Sequence, residues 1–124
     1  MKKVLVVEDD IDNMALITYA LKRGGYEVIS AQTGEMGLEL AIKEKPYFII
    51  MDISLPGIDG LETARRIRKS KIDHNIPIIA ITSFAMKGDM EKAINAGCSA
   101  YFEKPIDPLT IVDEIHKIIA RSAK

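Results

Sequence analysis

The sequence predicts an α/β fold: a five-stranded parallel β-sheet, doubly wound, with helices on both faces. Three observations predict it. Short apolar and β-branched runs alternate with longer amphipathic stretches, the pattern of βα units. Two of the runs, Phe48-Ile49-Ile50-Met51 and Ile76-Pro77-Ile78-Ile79-Ala80-Ile81, are continuously apolar, as strands covered on both faces must be. The alternation repeats five times within 124 residues, enough for one buried core and too few for a second, so residues 1–124 are expected to form one domain.

Taken in order, strands are expected over Lys3 to Val7, Tyr26 to Ser30, Phe48 to Met51, Ile76 to Ile81 and Ala100 to Phe102. Helices are expected over 12–23, 34–44, 60–70, 88–96 and 108–121. Asp59 followed by Glu62 reads as a capping box, and Asp107-Pro108 sets an N-cap acid before a proline at the first helical position. Gly24-Gly25 and Gly97 end their helices by allowing left-handed backbone, and Pro46 keeps the second helix out of the third strand. On the first helix Leu16, Ile17, Ala20 and Leu21 share one side at helical spacing and should be core. Right-handed crossovers then place any ligand at the carboxyl ends of the strands, near the switch in strand order.

Composition removes several classes of function. With 17 basic against 18 acidic residues, net charge gives no reason to expect nucleic acid or an acidic membrane surface as partner. Cys98 is the only cysteine, which excludes an internal disulfide and a cysteine-rich zinc site, and it reads as a small buried apolar residue. No apolar run approaches the ~20 residues that span a bilayer, and Met1-Lys2-Lys3 leads straight into Val4-Leu5-Val6-Val7 without a signal-peptide pattern. A cytoplasmic protein is expected.

The chemistry is concentrated at four strand ends: Glu8-Asp9-Asp10 after the first, Asp52 after the third, Thr82-Ser83 after the fourth and Glu103-Lys104-Pro105 after the fifth. An acidic loop alone is often only a solvated surface. An aspartate directly after a fully apolar strand, with a lysine and a hydroxyl due at neighbouring strand ends, is more specific. Two carboxylates about 4 Å apart repel by about 4 kcal/mol at an effective dielectric of ~20, so the cluster calls for a cation. Mg²⁺, which favours one or two carboxylates with water and phosphate oxygens, meets that need, and Lys104 adds a second positive charge. A carboxylate so placed can act as a nucleophile toward phosphorus.

These residues resemble the receiver domains of two-component response regulators, and the resemblance covers the whole chain. Val6-Val7-Glu8-Asp9-Asp10 is similar to the family's acidic pair and Met51-Asp52-Ile53-Ser54-Leu55-Pro56-Gly57 to its phosphoacceptor loop. Ile81-Thr82 is similar to its hydroxyl switch, and Lys104-Pro105 to its lysine followed by a cis proline. Phe84-Ala85-Met86-Lys87-Gly88-Asp89 and Ala96-Gly97-Cys98 resemble DivK-type single-domain regulators most, with similar strings in receiver modules of hybrid kinases.

The resemblance implies a CheY-like, flavodoxin-like (βα)5 sandwich of strand order 2-1-3-4-5. It implies Asp52 as phosphoacceptor, with Lys104 pairing with the phosphoryl oxygens. Glu8, Asp9, Asp52 and the Ser54 carbonyl would hold Mg²⁺, with Mn²⁺ as a substitute. Thr82 would swing toward the phosphoryl group while Tyr101 rotates inward. Glu8 stands where many members carry aspartate, and Phe84 is bulky enough to slow water's access to the phosphoryl group. The implied activity is self-catalysed phosphoryl acceptance with slow autodephosphorylation rather than enzymatic turnover. The donor would be a histidine kinase or histidine phosphotransfer protein, and the output would reach a downstream protein target through the face of the fourth and fifth units. No output domain is expected after Lys124, so output is expected through protein contacts or onward transfer, by a monomer or a phosphorylation-dependent dimer. The alternatives are a phosphorelay intermediate, a receiver segment of a hybrid kinase, or an aspartyl-nucleophile phosphatase. The last lacks its second acid, Ser54 standing at that position.

Other features are weaker. Arg65, Arg66, Arg68, Lys69 and Lys71 make one end of the third helix basic and read as a solvated face. His74 and His116 lack partner ligands, and His116 is expected to be exposed. Ile11, Met14 and Ala15 lie off the core side of the first helix, beside the acidic pocket; they are either scattered surface apolars or a docking patch for the phosphodonor. Leu109, Ile111, Val112, Ile115, Ile118 and Ile119 form a stripe on the last helix wider than one core face requires, and its outer edge with Tyr101 is a candidate output surface.

Overall fold

The computed structural model describes residues 2–70, 75–83 and 87–122. Lys71, His74 and the 84–86 segment containing Phe84 lie outside the described residues. Five strands, β1 (Lys3–Val7), β2 (Glu27–Ala31), β3 (Ile49–Asp52), β4 (Ile78–Thr82) and β5 (Ala100–Glu103), form one parallel sheet of order β2-β1-β3-β4-β5. Helices α1 (Ile11–Arg23), α2 (Gly34–Glu44), α3 (Gly60–Lys69), α4 (Asp89–Asn95) and α5 (Ile111–Ser122) follow the strands in turn. The expected topology is the one found.

Period-two alternation along the inner strands divides the core into two layers. Leu5, Val7, Ile49, Met51, Ile78 and Ala80 pack on the side of Ala41, Ala64, Ile67 and Ala93, from α2, α3 and α4. Val4, Val6, Ile50, Ile79 and Ile81 pack on the side of Ile17, Ala20, Leu21, Ile111 and Ile115, from α1 and α5. Every residue of β3 and β4 is buried, as their unbroken apolar runs require. Leu16, expected in the core, is only half-buried; the sheet-facing stripe of α1 is Ile17, Ala20 and Leu21.

The helix starts are fixed locally. Asp10, Thr33 and Asp59 cap α1, α2 and α3 by accepting from the backbone N–H of Asn13, Met36 and Glu62. α1 ends with Gly25 at φ +90, while Gly24 keeps a negative φ, so only the second glycine supplies left-handed backbone. The last helix corrects an expectation. Asp107 does not cap α5 with Pro108 as its first residue; its side chain accepts from Leu109 N–H and its carbonyl from Ile111 N–H, closing a turn from which α5 begins at Ile111. Leu109 therefore sits in that turn, 74% exposed, outside the helical stripe.

Candidate phosphoacceptor and metal site

Strand order reverses between β1 and β3, β2 lying on one side of β1 and β3 on the other, so a crevice opens at their carboxyl ends. Glu8 and Asp9 leave β1 there, and Asp52 ends β3. One ligand oxygen from each of Glu8, Asp9 and Asp52 lies within 4.8 Å of the others. Glu8 and Asp52 are buried and Asp9 is exposed, so the cluster has a closed floor and one ligand facing solvent.

Lys104 enters from the loop after β5. Its Nζ lies 2.7 Å from Glu8 Oε1 and 3.2 Å from Asp52 Oδ2. The contact with Asp52 is a hydrogen bond, and that with Glu8 is a close buried ion pair. Asp52 Oδ1 accepts from Ser54 N–H at 3.1 Å and Glu8 Oε2 accepts from Asp10 N–H at 3.1 Å. The loops thus orient both carboxylates before any ligand arrives.

Burial pushes the Glu8 carboxyl up to about 7; the Asp52 carboxylate adds to this, against the opposing pull of Lys104 and the Asp10 N–H. The Lys104 ammonium is raised above its ordinary range: burial works against the charge, but Glu8 and Asp52 more than compensate. One ammonium for two buried carboxylates leaves negative charge in excess. The oxygen-only donor set, its spacing and the exposed Asp9 fit a hard divalent cation with water in its remaining positions.

Thr82 ends β4, buried to 3% exposure, and its carbonyl accepts from Lys104 N–H at 2.7 Å. The Lys104–Pro105 peptide is cis. Tyr101, which pairs with Ala80 in the sheet, is set further from the strand ends and packs against the α2–α3 side of the core. Its hydroxyl is buried without a hydrogen-bond partner among the described residues, and burial, with Asp89 and Glu103 nearby, raises its pKa. The structure therefore brings Glu8, Asp9, Asp52, Ser54 and Lys104 together at one end of the sheet, with Thr82 at the adjoining strand end and Tyr101 a step behind.

One residue that shapes the site escapes a reading of side-chain chemistry. Gly60, the first residue of α3, donates its N–H to Ile53 O at 2.9 Å. A Cβ there would strike the Asp52 carbonyl oxygen and come within 2.8 Å of Ile53 Cα. Only glycine lets α3 start this close to the loop that follows Asp52. The signal available in sequence was its place directly after the Asp59 cap.

A doubly wound sheet whose strand ends gather acid, lysine and buried hydroxyl defines a receiver module of phosphotransfer signalling. The chain belongs to the response regulator receiver domain family, whose model matches residues 4–116. It is 40% identical over 114 residues to the polar-differentiation response regulator DivK of Brucella ovis, covering 92% of this chain and 93% of that one. Among solved structures, the receiver domain of the sensor histidine kinase PA1611 from Pseudomonas aeruginosa PAO1, described with magnesium coordinated in its active-site cleft, is 31% identical with a TM-score of 0.87. That match covers 96% of this chain and 98% of that one. A putative response regulator from Chloroflexus aurantiacus is likewise 31% identical, with a TM-score of 0.89 and the same coverage. Among the described residues, no helix is long and apolar enough to cross a membrane.

Proposed function

We propose that residues 1–124 act as a single-domain phosphorylation switch in which Asp52 is the phosphoacceptor. The observation that carries this reading is the placement of Asp52: buried, one oxygen on Ser54 N–H, the other on Lys104, and a metal-compatible cluster around it. In the transfer, an Asp52 oxygen attacks the phosphorus of a phosphohistidine. The new P–O bond forms as the P–N bond breaks, and its electron pair returns to the imidazole nitrogen. Lys104 is placed to neutralise the phosphoryl oxygens. Glu8, Asp9, Asp52 and the Ser54 carbonyl would hold Mg²⁺, with Mn²⁺ as a substitute. Bound there, the cation would supply charge neutralisation at the transferring group.

Thr82, at the strand end beside Lys104, is the hydroxyl that would turn toward the phosphoryl group. Tyr101, whose buried hydroxyl has no hydrogen-bond partner among the described residues, is the ring that would respond. Exposed Met90 and Ile94 on α4 border the proposed output face for a downstream protein. The donor is a histidine kinase or phosphotransfer protein acting in the cytoplasm. A relay role or a place within a hybrid kinase uses the same site, and the PA1611 likeness supports keeping the latter.

Incubation with acetyl phosphate and Mg²⁺, followed by intact-mass and peptide analysis, tests the proposal. A lasting gain of one phosphoryl group on Asp52 is expected. Continuous phosphate release at enzymatic rates would favour the phosphatase reading instead.

A further inference from the structure

Arg68 parts company with the other cations of α3. Arg65 and Arg66 pair with Glu62 on the exposed side of their own helix, at 3.4 and 3.0 Å. Arg68 is half-buried and reaches out of α3: its Nε donates to the carbonyl oxygen of Gly97 at 2.9 Å, across 29 residues of sequence. Its aliphatic stem covers the same glycine, because a Cβ on Gly97 would fall 2.6 Å from Arg68 Cγ.

Gly97 is where α4 stops. It takes left-handed backbone at φ +105, its N–H donates to Ile94 O and the Cys98 N–H donates to Ala93 O, both at 3.0 Å. These two bonds close a Schellman motif. The next residue fastens the turn to the sheet: Ser99 N–H donates to Ile78 O at 2.7 Å, and its hydroxyl accepts from Ile78 N–H at 3.2 Å. The carboxyl end of α4 is thus tied to α3, to β4 and to itself.

The amino end is held differently. Gly88 precedes α4 in left-handed backbone with no side-chain cap, and Ala93 is the only buried residue of the helix. By chain connectivity this end follows the loop after Thr82, on the side of the sheet that carries Asp52. The amino end of α4 therefore lies toward the site and the fastened end away from it.

We infer that Arg68 is a positioning residue that anchors the Gly97 turn, making it the pivot about which α4 responds to occupancy of the phosphoacceptor site. The pivot rests on the switch reading above; the anchor stands without it. Both are tested by hydrogen exchange with mass spectrometry on the full chain, in EDTA and with Mg²⁺ and beryllofluoride as phosphoryl mimic. In the unsubstituted protein, the mimic should change exchange in the first turn of α4 and leave 97–99 protected. Arg68→Met keeps a stem over Gly97 and removes the donor. It should raise exchange at 97–99 at least tenfold in EDTA, leave β1 and β3 protected, and let the mimic's effect run through the whole of α4. Arg68→Lys, which retains charge but not the planar fork, should give an intermediate gain and serves as the readout if the methionine variant does not fold.

Unchanged exchange at 97–99 would overturn the anchor. A loss of protection spread evenly over the sheet would do the same, by reducing Arg68 to a general stability contact. A mimic response confined to the first turn in every variant would overturn the pivot. Failure of the unsubstituted protein to take up the mimic would count against the switch reading, and so against the pivot, while the EDTA comparison still decides the anchor.

Discussion

Lys104 Nζ lies 2.7 Å from Glu8 Oε1, nearer than to Asp52, and the two side chains are 9% and 0% exposed. Desolvated ion pairs of this kind are costly to half-remove, because the remaining charge has neither water nor partner. Lys104→Met should therefore destabilise the metal-free protein by about 3 kcal/mol or more. Added Mg²⁺ should recover part of the loss by supplying the missing positive charge. Urea unfolding with EDTA and with Mg²⁺ checks both: equal losses in the two conditions would show that the lysine serves packing rather than charge.

Glu8 sets a pH dependence whose sign follows from its direction of shift. Its folded-state carboxyl is pushed up to about 7 from 4.5, chiefly by burial, so between these values the folded protein holds a proton that the unfolded chain has released. The contribution of Glu8 to stability is thus fully present below about pH 4.5, declines as pH rises, and levels off above about 7. The loss is on the order of 1–3 kcal/mol in EDTA. A divalent cation should flatten the slope by stabilising the charged form, and Glu8→Gln should remove it. Chemical unfolding at pH 5.5 and 7.5 measures the difference; a metal-free slope that survives in Glu8→Gln belongs to other groups.

Asp52→Asn removes one of the two buried carboxylates that Lys104 must share. The variant should accept no phosphoryl group from acetyl phosphate, bind Mg²⁺ about tenfold or more weakly, and be more stable than the parent in EDTA by about 1 kcal/mol. Isothermal titration and thermal unfolding give these values. Undiminished Mg²⁺ affinity would move the metal away from the third strand.

These sites were legible in unequal measure. Asp52 and Thr82 could be read because each ends an unbroken apolar run, which fixes the strand and with it the strand end. Asp9 and Glu8 followed from the same logic. The partition of Lys104 between Glu8 and Asp52 could not be read, since it depends on how far a flexible side chain reaches between two loops. The start of α5 was misplaced because Asp107 can satisfy its cap either on a helix or on an isolated turn, and the sequence Asp-Pro favours both. Arg68 was hidden within a run of like residues; its partner is a backbone carbonyl, which carries no sequence mark.

Gly60 offers a test of the close approach between α3 and the loop that follows Asp52. Alanine near a helix start ordinarily favours the helix over glycine. Here its methyl group would meet the Asp52 carbonyl oxygen and the Ile53 backbone, neither of which can rotate away. Gly60→Ala should cost about 2–4 kcal/mol and slow phosphoryl acceptance as the loop shifts. Thermal unfolding and acetyl phosphate labelling follow the two effects. A neutral or stabilising result would mean that the loop yields easily.

The apolar residues at the start of α1 separate into two kinds, which decides how donor docking is to be probed. Ile11 is 77% exposed, whereas Met14 is half-buried and packs against the α1–α5 core layer. A charge at Met14 would disturb folding and docking together. Ile11→Lys should leave stability within about 0.5 kcal/mol, since the residue has little burial to lose. It sits immediately after the Asp10 cap, beside the acidic pocket, where the helices of a phosphohistidine protein would have to approach. Transfer from a cognate kinase should therefore slow by about tenfold, the effect of ~1.4 kcal/mol at an interface, while labelling by acetyl phosphate stays unchanged. Equal slowing with both donors would place the defect in the pocket chemistry, and no slowing with either would reduce Ile11 to an ordinary surface residue.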